Sequence, residues 1–169
     1  MIKKRELFNV NELPRSQLYI FFDEYSVAKK KIAALESKRM VLQTRMESTV
    51  KPLSPAPSHG GGSSRSLEDL ACKVVEIDEK LENLKKYALL LLGVLNQAMD
   101  QIESPMDRAI FKYRFVEGKT MEEICKVHDD ALYIKHGWGR SRLCRSSIYN
   151  HLNKVLDGLD FEIDPALYS

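Results

Sequence analysis

The stretch Ser66–Ile102, SLEDLACKVVEIDEKLENLKKYALLLLGVLNQAMDQI, decides the fold of this chain. Steps of three and four residues along it meet only apolar side chains, at Leu67, Leu70, Val74, Ile77, Leu81, Leu84, Ala88, Leu91, Leu95, Ala98 and Ile102. This spacing is typical of a long helix that packs along one stripe, the heptad seam of a coiled coil. At about 1.5 Å per residue, such a helix would be roughly 54 Å long.

A similar pattern precedes it, from Pro14 to about Glu47. Its seam is apolar or aromatic except at Arg39, and consists otherwise of Leu18, Phe21, Tyr25, Ala28, Ile32, Leu35, Leu42 and Met46. Between the two helices lies KPLSPAPSHGGGSSRS, in which proline blocks helix while glycine and serine leave the backbone free. We predict a first coiled-coil helix over 14–50, a flexible linker over 51–66 and a second coiled-coil helix over 67–103, which together form a long helical hairpin.

The second helix carries more leucine than a hairpin requires, because Leu89, Leu90 and Leu92 lie beside its seam. A helix that is apolar on more than one stripe packs against more than one neighbour. These leucines either hold two chains together, which predicts a homo-oligomer, with a dimer favoured, through residues 67–103, or cover the C-terminal domain of the same chain.

Short, capped helices follow residue 102. Ser104 and Pro105 are typical of a helix start, and Gly118 is typical of a helix end. Thr120 and Glu123 have the spacing of a capping box, which begins the next helix. A further helix is predicted over 145–159, with an inward face of Ile148, Leu152, Val155, Leu156 and Leu159. This order predicts a helix-turn-helix domain over 104–160 of an all-α protein.

Charge is unevenly distributed in this domain. Between Lys135 and Lys154 there are five lysines and arginines and no acid, whereas an acidic tail follows from Asp157 to Asp164. A stretch of one sign with serine, asparagine and tyrosine interleaved is typical of a surface that meets phosphates, although it could also be a solvated face. We predict that Lys135, Arg140, Arg142 and Lys154 contact DNA.

The segments ESPMDRAIFKYRFVEGKTMEEIC and CRSSIYNHLNKVL resemble region 4 of sigma-70 type sigma factors. Upstream, STVKPLSPAPSHGGGSS precedes the long heptad helix. With this segment included, the chain is more similar still to the RinA/ArpU-like transcriptional regulators of phages and prophages. This resemblance covers about Leu35 to Leu159. The resemblance implies a recognition helix anchored by Ile148. Its exposed first turns would meet DNA through Arg145, Ser146, Ser147, Tyr149 and Asn150, with arginine reading guanine and asparagine reading adenine.

One feature departs from a compact helix-turn-helix, which joins its two helices by three or four residues. Here Asp129–Leu143 lies between them. We predict that residues up to Lys135 extend the preceding helix, that Gly137 stops it, and that a basic loop bearing Trp138 completes the connection.

The function implied by the resemblance is DNA-binding regulation of phage or prophage transcription by a coiled-coil oligomer, with double-stranded DNA and RNA polymerase as partners. Two other functions remain open. One is a small-terminase-like subunit that recognises DNA for packaging, which would form a ring of many chains rather than a dimer. The other is a coiled-coil adaptor that binds RNA polymerase without touching DNA.

The sequence contains few residue patterns that are typical of catalytic or metal sites. No nucleophile has an evident His–Asp partner set, so we expect neither enzymatic activity nor a cofactor. Cys125 and His128 lie three residues apart and could begin a zinc site, with His136, Cys144 and His151 as further ligands. Because no second tight pair repeats the spacing, we predict no metal.

The cysteines and the longest apolar run bear on location. Cys72, Cys125 and Cys144 are odd in number and widely spaced, which fits the reducing cytosol rather than a disulfide framework. The longest apolar run, Ala88–Leu92, is far shorter than the roughly 20 residues of a membrane span. We expect a cytoplasmic protein without membrane contact.

Overall fold

The structure, a computed structural model, describes residues 8–49, 63–136, 143–164 and 167, and the side chains of 9–48, 66–128, 143–164 and 167. The fold of these residues is all-α apart from one short ladder, which confirms the predicted fold class. In chain order the elements are β1 (Phe8–Asn9), a 3-10 helix (Val10–Glu12), α1 (Arg15–Thr49), α2 (Ser63–Gln101), α3 (Pro105–Phe111), a π-helical segment (Lys112–Val116), α4 (Met121–His136), α5 (Arg145–Gly158) and β2 (Glu162–Ile163).

The chain divides into two compact units. The hairpin unit comprises residues 28–87, and the larger unit comprises residues 1–27 and 88–169. The divisions fall inside α1 and α2, so each long helix contributes to both units. The larger unit therefore extends beyond the predicted 104–160 domain, because it also includes the start of α1 and the end of α2.

The second helix begins inside the predicted linker. α2 starts at Ser63, so residues 63–66 are helical rather than flexible. The three glycines that argue against helix all precede this point, and nothing in Ser63–Ser66 prevents a helix from starting there. The rest of the predicted linker, 51–62, lies outside the described residues, and its flexibility stays a prediction.

The hairpin unit is formed by the antiparallel pairing of α1 and α2. Its buried cluster joins Leu42 of α1 to Ile77 and Leu81 of α2. Two ion pairs cross between the helices, Glu36 to Lys85 at 2.6 Å and Arg39 to Asp78 at 2.5 Å. The charged break in the α1 seam, Arg39, is therefore matched by an acid on the facing helix.

The α2 seam packs within one chain. All eleven of its positions are buried or half-buried without a second chain. The packing therefore gives no support to the prediction that this seam holds an oligomer together, since α1 packs on its part in the hairpin unit and the part from Ala88 onward is buried within the larger unit. The leucines beside the seam differ, because Leu89 is 68% exposed and Leu90 57% exposed.

The core of the larger unit is built from aromatic rings and the apolar face of α5. The ring centroids of Phe111 and Phe115 lie 4.9 Å apart, and Phe22 of α1 contacts both at 5.3 and 5.5 Å. Leu18 and Phe21, which the heptad pattern assigned to a coiled coil, are buried in this unit instead. The start of α1 is thus part of the same core as the C-terminal helices.

The caps that position α3 and α4 form as their sequences predict. The Ser104 hydroxyl accepts a hydrogen bond from the Asp107 amide at 3.3 Å, and Pro105 occupies the first turn. The Thr120 amide donates to the Glu123 carboxylate at 2.7 Å, and the Glu123 amide donates to the Thr120 hydroxyl at 3.3 Å. Both reciprocal bonds of the capping box are therefore present.

The turn between α3 and α4 depends on a glycine. Gly118 has a φ of 71°, in the left-handed region that L-amino acids rarely adopt. A Cβ at this position would lie 2.4 Å from the Ser26 hydroxyl oxygen of α1. Backbone conformation and close approach therefore both require glycine here.

The two ends of the larger unit are joined by a ladder that the sequence did not reveal. β1 pairs antiparallel to β2, with Phe8 opposite Ile163 and Asn9 opposite Glu162. The amide of Val10, which is fully buried, donates to the Phe161 carbonyl at 2.9 Å. Part of the acidic tail is therefore structural, because its backbone anchors the start of the chain.

Candidate nucleic-acid interface

Helix α5 carries most of the predicted DNA contacts, and its apolar face fixes its orientation. Ile148, Leu152, Val155 and Leu156 are buried on one side, as their spacing predicts. The helix packs against α3 and α4 through this side. The opposite side, with the predicted contact residues, is exposed or half-buried.

The start of α1 covers one edge of that outer side. Arg15 binds Asp157 through two hydrogen bonds of 2.5 Å. The Tyr19 hydroxyl donates to the Asn153 carboxamide oxygen at 3.2 Å, and the Tyr19 ring lies 6.5 Å from that of Tyr149. The three α5 residues are spaced four apart, so α1 follows one stripe of the helix.

Burial and neighbouring charge raise the pKa values of the two α1 side chains in this contact, Tyr19 and Arg15. Desolvation, followed by the neighbouring Tyr149, raises the pKa of Tyr19 to about 12. Its hydroxyl therefore stays protonated and able to donate up to a higher pH than that of an exposed tyrosine. The hydrogen bonds and charge of Asp157 raise the pKa of Arg15. The carboxylate of Asp157, which would repel a phosphate, is thus neutralised by its partner.

Two further contacts hold the other edges of α5. His151 lies on the α3 side, with its Nδ1 2.5 Å from a carboxylate oxygen of Asp107, a buried acid. At the start of the helix, Arg145 forms an ion pair with Glu122 of α4. The guanidinium of Arg145 remains largely exposed, but the pair directs it towards α4.

A narrow stripe of α5 remains without partners. Ser146, Asn150 and Lys154 are four residues apart and exposed, and Ser147 beside them is half-buried. Within the described part of the chain, none of these four side chains has a hydrogen bond or an ion pair. The stripe offers a hydroxyl, a carboxamide and an ammonium group in a line, which can bind base edges and phosphate oxygens.

The predicted contact residues therefore divide into groups. Ser146, Asn150 and Lys154 share the open stripe, whereas Tyr149 is 47% exposed and packs towards Tyr19. Lys135 lies in α4, which extends to His136 as expected, but its side chain is not among those described. Arg140 and Arg142, like Gly137 and Trp138, lie outside the described residues, so their predicted roles stay predictions.

Sequence reasoning missed the contacts that surround α5. Nothing local to Arg15 or Tyr19 distinguishes them from other residues of a coiled-coil helix. The four-residue spacing of Tyr149, Asn153 and Asp157 was a usable signal, since it marks a stripe of α5 with polar groups suited to a helix neighbour.

Neither a metal site nor a membrane span is present in the described part of the chain. Among the described side chains, no group of three His, Cys, Asp or Glu residues comes together as a metal site would require. The described helices include none that is both long and apolar enough to cross a membrane.

Comparison of the chain with protein-family models, with curated proteins and with solved structures found no significant match.

Proposed function

We propose that this chain is a DNA-binding transcriptional regulator of phage or prophage type, a binding protein rather than an enzyme. The observation that carries the proposal is the open stripe of Ser146, Asn150 and Lys154 on a helix whose other sides are held in place. A rigid helix with donors and acceptors in a line suits the major groove of double-stranded DNA. The resemblance to sigma-like helix-turn-helix regulators supports the same function.

Electrostatics support the proposal. From Cys144 to Lys154, α5 and its cap carry no acid. The acid nearest the end of the helix, Asp157, is bound by Arg15. Among the residues of α5 itself, a phosphate backbone lying along the stripe would therefore meet positive or neutral groups.

A second part of the proposal is that the regulator works as a dimer. Leu89 and Leu90 are 68% and 57% exposed, an unusual environment for two adjacent leucines. Gly93, one turn later, has nothing within 4 Å of the position of a Cβ. A second chain that packs on this part of α2 would bury both leucines.

Selection from random duplex DNA, followed by sequencing, tests the proposed function. The full chain is expected to enrich one motif, and a dimer predicts a motif with two half-sites. The selected DNA should bind more tightly than a shuffled control, with an affinity that falls as salt rises. If no motif is enriched and no salt-dependent binding appears, DNA binding is refuted and the RNA polymerase adaptor becomes the better function.

A further inference from the structure

The hairpin unit has an open apolar groove between its two helices. The groove has a volume of about 630 Å³. Ala34 and Leu35 of α1 and Leu84 and Tyr87 of α2 form its floor. Because these side chains are exposed or half-buried, the groove presents apolar surface to water along both helices. Such a surface is typical of grooves that accept an amphipathic helix.

Lysines lie along the edges of this groove. Lys31 of α1 and Lys80 of α2 line it directly. Lys38 and Lys73 each lie seven residues from one of these, and therefore on the same side of their helices. In the part of the chain that the structure describes, none of the four has an ion pair. The groove thus combines an apolar floor with cationic edges.

The other side of the hairpin is different. There Lys85 binds Glu36 and Arg39 binds Asp78, so cations and acids of the chain neutralise one another. Among the described residues, these two cations are paired with acids, whereas none of the four groove lysines has an ion pair. This difference indicates that the groove side is complementary to an acidic molecule.

A second copy of the chain is a poor occupant for the groove. Two hairpins stacked groove to groove would place the four lysines of one chain against those of the other. The acids that helical spacing brings to this side of α2 are Asp69 and Glu76, which are too few to balance them. Duplex DNA would match the charge, but it would leave the apolar floor uncovered.

We propose that this groove binds an amphipathic helix of another protein, whose apolar stripe lies on the floor and whose flanking glutamates or aspartates pair with the lysines. This partner site lies wholly in the hairpin unit and does not depend on DNA binding by α5. It gives the protein a means of contacting an acidic helical partner.

A designed peptide provides the probe. It is a fluorescein-labelled helix of three heptads with leucine at the seam positions and glutamate beside them, and its own charge keeps it from pairing with itself. Two control peptides carry lysine in place of glutamate, or glutamine in place of leucine. With the full-length chain, fluorescence anisotropy should show saturable binding of the first peptide and much weaker binding of both controls.

Substitutions in the chain test whether the peptide binds in the groove. Lys31→Glu with Lys80→Glu should raise the Kd of the peptide by about tenfold or more, because like charges then face each other. Ala34→Trp should also weaken binding, because the indole fills the groove. Lys86→Glu is the control for each single reversal, since it makes the same charge change as either one on another side of α2, and it should leave the Kd near that of the wild type.

Several results would overturn the proposal. They are absence of binding by the wild-type chain, equal binding of either control peptide, and an unchanged Kd in the double lysine variant. If Ala34→Trp instead dissociates an oligomer of the chain in sedimentation, a second copy occupies the groove and the acidic partner is refuted.

Discussion

Arg15 of α1 forms a two-point ion pair with Asp157 of α5, 142 positions away in sequence, with both nitrogen–oxygen distances at 2.5 Å. The pair neutralises an acid on the helix that we propose to lie on DNA. It also joins the start of the first long helix to the end of the last helix. Through this ion pair, the start of α1 becomes a part of the proposed DNA interface.

The first prediction concerns this pair. Arg15→Gln should raise the Kd for the selected DNA by about fivefold at low salt, because it exposes a carboxylate to phosphates, and less at high salt, where exposed charges are screened. Asp157→Asn should bind DNA at least as tightly as the wild type. The double variant should recover the affinity lost in Arg15→Gln, and a double variant as weak as the single one would contradict the explanation. Fluorescence anisotropy measures all three.

The second prediction separates sequence reading from charge on the open stripe. Asn150→Ala should cost about 1–3 kcal/mol on the selected DNA and much less on shuffled DNA, because a carboxamide reads base edges. Lys154→Ala should weaken binding to both DNAs and reduce the salt slope by about one unit, because an ammonium group binds phosphate. Anisotropy across a salt series distinguishes the two effects.

Asn153→Ala is the control for the second prediction. It removes the same side chain three residues further on, where the carboxamide is bound to Tyr19. Its discrimination between the two DNAs should match that of the wild type. A loss as large as that of Asn150→Ala would show that the stripe is placed on the wrong side of α5.

The third prediction concerns the proposed dimer. Leu89→Glu with Leu90→Glu should halve the mass measured by sedimentation and leave the helical circular dichroism unchanged, because both side chains point away from the core. Leu81→Ala is the contrasting variant. Leu81 is 6% exposed inside the hairpin unit, so its truncation should lower the free energy of unfolding by about 2–5 kcal/mol. A wild-type chain that is a monomer at micromolar concentration would refute the dimer.

The fourth prediction concerns the turn before α4. Gly118→Ala should lower the free energy of unfolding by about 2 kcal/mol, since it combines a left-handed backbone with a contact to Ser26. Ser26→Ala alone should have little effect. In the double variant, part of the loss should return, because the hydroxyl is gone while the backbone strain remains. Urea unfolding measures the stability of each variant. If the two single losses of stability simply add in the double variant, the proposed contact between a side chain at position 118 and the Ser26 hydroxyl is contradicted.

The fifth prediction concerns pH. Because the pKa of Tyr19 is about 12 in the folded chain and near 10 in an unfolded one, the folded state holds this proton more tightly. The resulting stabilisation is complete below about pH 10 and is lost as pH rises towards 12. Tyr19 is half-buried, so solvent screening limits this stabilisation to about 1 kcal/mol. In Tyr19→Phe, the free energy of unfolding should depend less on pH over this range than in the wild type. An identical pH dependence would contradict the raised pKa of Tyr19.

Much of the secondary structure could be predicted from the sequence because it follows from local rules. The eleven positions that the heptad spacing marks in α2 are all buried or half-buried in the structure. Ser104 and the Thr120–Glu123 pair marked helix starts whose capping bonds are formed. These features need only neighbouring residues, since caps and helical faces are set within one or two turns.

The sequence by itself determined which residues form helices and which faces are apolar, but not what those faces meet. Periodicity shows that Leu18 and Phe21 are buried, and it is silent on whether a coiled-coil partner or the core beneath α5 buries them. Only the tertiary structure decided that, and only it brought Tyr19 to Asn153 and β1 to β2. The physical reason is that hydrophobic burial is non-directional, so the choice of partner depends on how the whole chain packs.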